Sequence, residues 1–146
     1  MVSTGTLPTI AFIQGNTFAT TIKMQRKDEN DVLQPFVLTD FTKIQMDFRD
    51  KPNRNGSLIA RISLGDGIEI IGDDNELLVI KLNKFLTNSF EHNITPFNLS
   101  TKVHGTNVNV VVGGKYYTDI AFYVGDDVKT LLKADVIVMA SITEIK

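Results

Sequence analysis

The stretch Tyr116-Tyr-Thr-Asp-Ile-Ala-Phe-Tyr-Val-Gly-Asp-Asp-Val-Lys-Thr-Leu-Leu132 decides the fold. In an extended chain successive side chains point to opposite faces, so Tyr116, Thr118, Ile120, Phe122 and Val124 share one face. Tyr117, Asp119, Ala121 and Tyr123 share the other. Gly125, Asp126 and Asp127 supply a turn, and Val128 to Leu132 resume the apolar pattern. The segment predicts two strands around a hairpin, with Asp126 and Asp127 as turn residues whose short side chains accept hydrogen bonds from nearby backbone N–H groups. Asp119 lies within a strand, where it pairs across the strand or caps a loop.

The same period of two runs outward. Lys43 to Arg49 alternates Ile44, Met46 and Phe48 with Lys43, Gln45, Asp47 and Arg49, and Thr17 to Met24 sets Phe18, Ile22 and Met24 against Thr17, Thr21 and Lys23. That is the pattern of half-buried strands. Further strands are expected at 8–14, 32–38, 58–63, 68–71, 77–82, 108–112 and 136–142. Leu77 to Leu82 and Asp135 to Ile142 carry apolar residues on both faces, which places them centrally or against another chain. Gly-, Asn- and Asp-rich punctuation separates the runs, at 14–16, 27–31, 50–57, 64–67, 72–75, 112–114 and 124–127. Strands at such short spacing predict a sandwich or barrel, not an alternation of strands and helices. One segment breaks the pattern: in residues 83–105, Asn83 caps a short helical turn holding Phe85, Leu86 and Phe90, and Pro96 ends it. The rest of that segment reads as an insertion or extended loop, an arm reaching a neighbour.

Composition narrows the function classes. The chain has 146 residues, 42% hydrophobic and 22% charged, the length and makeup of one folded domain, expected here as 1–146. Fifteen basic residues face seventeen acidic ones, a balance that argues against tracking a phosphate backbone, so no nucleic acid is expected. No apolar run of spanning length is present and the start lacks the features of a secretory signal, so no membrane partner is expected. There is no cysteine, hence no disulfide and no thiolate metal site. His92 and His104 both fall in the irregular segment, too few for a zinc ligand set. The acidic turns at Asp66, Asp73-Asp74 and Asp126-Asp127 do not follow the spacing of a calcium loop. Neither a nucleophile elbow nor a phosphate-cradling glycine loop occurs. No catalytic residue, cofactor or metal is expected, and the chain reads as a non-enzyme.

The order of several short motifs resembles the immunoglobulin-like modules of phage baseplate upper proteins and related tail-fibre attachment domains. The motifs are Gly15-Asn16-Thr17-Phe18, Leu38-Thr39-Asp40-Phe41-Thr42, the alternating 43–49 strand, the 55–63 turn and strand, Gly67-Ile68-Glu69-Ile70, and Tyr116-Tyr117-Thr118-Asp119-Ile120 with the hairpin and closing strand. The likeness covers roughly residues 14–145 apart from 83–105. It implies an immunoglobulin-like antiparallel β-sandwich with a short helical or irregular insertion near 83–105. It further implies a virion structural protein of the tail, baseplate or collar, made in the bacterial host cytoplasm. Partners would be other virion structural proteins, with homo-oligomers in a ring or baseplate. The candidate assembly contacts are the aromatics and leucine of the arm, Phe85, Phe90, Phe97 and Leu99, and Ile10 and Phe12 of the leading segment. The alternative for the arm's aromatics is that they fold back to close one end of the sandwich. Two other functions stay open: a carbohydrate-binding module stacking glycans on Tyr116, Tyr117 and Tyr123, or a capsid decoration protein.

Overall fold

The computed structural model describes residues 3–52, 55–90, 96–103 and 106–139, with the backbone alone at 3, 96–103 and 106–112. In chain order its elements are β1 (Ser3–Thr6), β2 (Ile10–Ile13), β3 (Phe18–Lys23), β4 (Gln25–Lys27), β5 (Leu33–Pro35), a 3-10 turn (Leu38–Asp40), β6 (Lys43–Arg49), β7 (Leu58–Leu64) and β8 (Gly67–Ile71). There follow β9 (Leu77–Leu82), the helical turn α1 (Lys84–Asn88), β10 (Pro96–Val103), β11 (Thr106–Val124) and β12 (Asp127–Met139). The chain is all-β, as its alternation requires.

The main path of hydrogen-bonded strands runs β1-β12-β11-β6-β7-β8-β9-β3, with β2 also on β12 and β10 also on β11. It turns a corner between β7 and β8, which touch only at Ser63 opposite Gly67 and Leu64 opposite Ile68. Gly67 makes that corner possible: its φ is 97°, and a Cβ there would lie 2.8 Å from Ile62 Cγ2 and 3.1 Å from the Lys81 carbonyl oxygen. Beyond the corner β8, β9 and β3 form one layer, and β12, β11, β6 and β7 form the other. Chain order within these layers matches the B, E, D and C, F, G strands of an immunoglobulin-like sandwich, with β7 as the added fourth strand. β1 and β2 both run parallel to β12 along its free edge.

Alternation builds the core. Ile44, Met46 and Phe48 of β6 and Ile120 and Phe122 of β11 are fully buried. They meet Leu78, Ile80 and Leu82 of β9 and Ile68 of β8 in one cluster. Burying each such side chain contributes about 1.5–3 kcal/mol. β9 and β12 are both interior strands of the path, the central placement expected for them.

The 83–105 segment divides into three parts. Asn83 caps α1 as expected, its Oδ1 accepting the Leu86 N–H at 2.9 Å. α1 ends at Asn88, well before Pro96, which opens β10. Phe90 lies between them and turns inward. Its ring sits edge-on to Phe12 at 5.2 Å, Phe48 at 5.5 Å and Tyr116 at 5.0 Å, and it is fully buried. The alternative of folding back therefore holds for Phe90. Gln14 Nε2 donates to the Phe90 carbonyl, and the Gly15 N–H donates to Thr87 Oγ1 at 3.1 Å, tying the segment to the turn before β3. In the rest of the segment the described residues are those of β10, which pairs antiparallel with β11 from Pro96 opposite Gly114 to Val103 opposite Thr106 as a two-stranded β-hairpin.

Three expected boundaries change. The runs at 108–112 and 116–124 are one strand, and the run at 128–132 is joined in β12 to the described part of the next, which ends at Met139. Gly113-Gly114, expected as a turn, is extended backbone, and a Cβ on Gly113 would collide with the Val138 carbonyl oxygen. Glycine serves here to let two strands approach closely. The expected strand at 32–38 is real only over Leu33–Pro35, because Leu38 turns in to bury its side chain in the 3-10 turn.

β4 and β5 form a separate exposed hairpin, whose turn is organised by Asp28. Asp28 Oδ1 accepts the N–H groups of Val32 at 3.0 Å and Asn30 at 2.9 Å, and Oδ2 accepts from Gln34 Nε2 at 3.2 Å. These bonds, that of Val32 first, hold the carboxyl below its ordinary 3.8. Since the folded value is the lower one, the order they confer is complete above the unfolded carboxylate range. It is lost as pH falls through the folded value. An NMR titration should show the Asn30 and Val32 amide shifts moving together at that lowered pH, and Asp28→Asn should abolish the transition. For the core, Phe90→Ala should cost about 3–5 kcal/mol in denaturant unfolding. Phe85→Ala, at a residue 73% exposed, should stay within about 0.5 kcal/mol.

Candidate functional site

The register that buries one face of β6 and β11 in the core turns the other outward, away from it. Asp47 of β6 lies between Arg61 of β7 and Asp119 of β11, and Asp119 lies opposite Lys133 of β12. A row Lys133–Asp119–Asp47–Arg61 thus crosses four strands, two carboxylates flanked by two cations. Like charges directly opposite each other destabilise a strand pair, and the flanking cations offset that repulsion.

Asp47 is the hub of the row. Arg61 grips it through both carboxylate oxygens, Nε to Oδ1 at 2.6 Å and a terminal nitrogen to Oδ2 at 3.0 Å. Arg49 reaches Oδ2 at 3.4 Å and Gln45 Nε2 reaches Oδ1 at 3.5 Å. The Asp47 carbonyl accepts the Thr118 hydroxyl at 2.7 Å, and the residue is only 9% exposed. The hydrogen bond to Asp47 raises the pKa of Arg61 above its already high ordinary value. With its oxygens occupied by guanidinium and amide donors, Asp47 is arranged as an anchor that holds two arginines in place.

Neighbouring positions extend the face. Lys115 pairs with Asp135 at 3.6 Å and lies 5.4 Å from the Tyr117 ring centre, and Lys43 lies 4.9 Å from that of Tyr123. The outward positions carry the cations Lys43, Arg49, Arg61, Lys115 and Lys133 against Asp47, Asp119 and Asp135, a surplus of two positive charges. A shallow groove of about 760 Å³ runs over this face, between Arg61 and Pro52 on one side and Leu131 and Lys133 on the other. Such an open, charged, partly apolar surface suits recognition of another macromolecule better than enclosure of a small substrate.

The residues singled out from the sequence divide. Phe85 is exposed on α1, with Lys84 Nζ 5.5 Å from its ring centre. Phe90, Ile10 and Phe12 are buried in the core, so their side chains are occupied by the chain's own packing and cannot be surface contacts. Phe97 and Leu99 lie in β10, where side chains fall outside the described residues, as do His92 and His104. Asp126 and Asp127 are exposed at the β11–β12 turn, where the Gly125 N–H donates to Thr42 Oγ1 at 2.8 Å. The acidic turns lie at separate places in the fold, and among the described residues no group of three or more His, Asp or Glu is placed to hold a metal ion. Among the same residues no helix is long and apolar enough to cross a membrane.

Sequence reading overlooked the Asp47–Arg61 row. Its signal was the polar half of the same alternation, Gln45, Asp47 and Arg49, with Arg61 standing alone in an apolar run. Which strands are neighbours had to be known before these became one feature. A double-mutant cycle on Asp47→Ala and Arg61→Ala should give a coupling of about 1–2 kcal/mol in unfolding free energy, with the half-exposed Arg61 head group keeping it below a fully buried pair.

No family model matches the chain, and no curated protein matches it. Among solved structures it is similar to that of the NK cell receptor Nkp44, described as a triggering partner in natural cytotoxicity. The identity is 7% and the TM-score 0.34, over 94% of this chain and 98% of that one. At that score and identity the likeness transfers nothing to this chain.

Proposed function

We propose that this chain is a non-enzymatic structural protein of a phage virion, in the tail, baseplate or collar, and that it works by protein–protein assembly. The single observation that carries the reading is the projecting β10–β11 hairpin. β11 pairs with β12 only from Gly113 onward and with β6 only from Tyr117 onward. Residues 106–111 therefore pair, among the described residues, with β10 alone. A two-stranded ribbon is marginal by itself in water, so one built to extend past its sandwich needs a neighbour to lie against. The ordered motifs that resemble baseplate and tail-attachment modules supply the setting. Symmetric repetition would let many modest contacts add up.

The glycan-binding alternative loses support from the tyrosines. Tyr116 is buried in the core. Tyr117 and Tyr123 share the outer face but stand six positions apart, about 20 Å along the strand, too far to form one stacking platform. Each ring also already has a lysine over it.

Replacing residues 98–111 by an Asn-Gly turn should leave the unfolding midpoint of the sandwich near its parent value. It should also remove the protein from assembled particles, as judged by immunogold labelling of purified virions. Labelling of neither parent nor variant virions would overturn the reading.

A further inference from the structure

We infer that copies of this chain associate head to tail, the acidic β7–β9 margin of one copy docking on the basic outer sheet face of the next. This deepens the assembly reading and rests on it for its biological setting.

From residue 62 to residue 80 the chain carries Asp66, Glu69, Asp73, Asp74 and Glu76 and not one lysine or arginine, and Lys81 just beyond takes up one of these charges, its Nζ 3.5 Å from the Glu69 carboxylate. They are distributed along one margin, Asp66 at the β7–β8 corner, Glu69 on β8, and Asp73, Asp74 and Glu76 in the β8–β9 turn at the other end of that strand. Asp66, Glu69, Asp73 and Asp74 are exposed. The turn is held in shape by its own backbone. The Asn75 N–H donates to the Gly72 carbonyl at 3.2 Å, Gly72 and Asn75 take φ of 101° and 54°, and the Glu76 carboxylate accepts the Asp74 N–H at 3.0 Å. Asp73 and Asp74 are thereby presented at the tip.

The outer face described above has the opposite balance. Its surplus of two positive charges stands on a chain of net charge −2, so the rest of the chain carries a net charge of −4. The margin belongs largely to the β8-β9-β3 layer, and the face to the outside of the other layer. Contact of face with face, or margin with margin, brings like charges together. Contact of face with margin brings unlike charges together, and in its head-to-tail form that contact generates rings when the rotation closes. The groove over the face gives the β8–β9 turn of the next copy a place to seat.

The test is sedimentation velocity of the full chain across ionic strength, with charge reversals on exposed positions. The parent should associate at about 50 mM salt and fall apart at about 500 mM, where screening acts within a few ångströms. K43E with K133E should raise the dissociation constant at least about tenfold, and so should D73K with D74K. The chain carrying all four reversals should associate again, as should an equimolar mixture of the two double variants. A parent that stays monomeric at low salt, or an association indifferent to both reversals, overturns the inference, and so does failure of the four-fold variant to recover while its unfolding midpoint matches the parent's. A chain that labels virions yet stays monomeric overturns this contact alone and leaves the assembly reading standing, with a different virion protein as neighbour.

Discussion

The register between β6 and β11 is the constraint on which both surfaces of the sheet depend. Met46 stands opposite Ile120 and Phe48 opposite Thr118 on the inner side, while Asp47 stands opposite Asp119 on the outer. A slip of β6 by one position would turn Asp47 and Arg49 into the core and expose Ile44, Met46 and Phe48, at a cost no single turn could offset. Core and charged face are thus one decision seen from two sides. The Thr118 hydroxyl, donating to the Asp47 carbonyl, reinforces that choice between the same two strands.

The core reaches this definition with neither cysteine nor tryptophan. Immunoglobulin domains of antibodies link their two layers with a disulfide packed against a tryptophan. Here aromatic packing occupies the interior, with Phe90 edge-on to three rings from β2, β6 and β11. Phe12 continues the cluster to Phe18 of β3 at 5.5 Å, so the chain of rings spans both layers. Because Phe90 arrives from the link between β9 and β11, the same contact anchors α1 and the base of the projecting hairpin. The hairpin can reach outward because its root is held inside.

The corner at Gly67 separates the charges. It sends β8 and β9 into the second layer and takes the acidic run of residues 66–76 with them, away from the cations of β6, β7, β11 and β12. A chain almost neutral in total is therefore uneven in space, and charge arranged in this way directs how surfaces meet more than how tightly they bind.

Much of this was already legible in the residues. Alternation in 43–49 and 116–124 determined two strands and their buried faces, Asn83 determined a helix cap, and Gly125 with Asp126 determined a turn, because each depends on neighbours a few positions away. Gly113-Gly114 was misleading for the complementary reason. Glycine permits a turn and permits close strand contact, and the Val138 carbonyl that selects the second is twenty-five positions distant. The inward turn of Phe90, the charged row from Lys133 to Arg61 and the separation of acidic margin from basic face were decided only by the tertiary structure. Each requires knowing which strands lie side by side, and strand adjacency follows from burying the whole core at once.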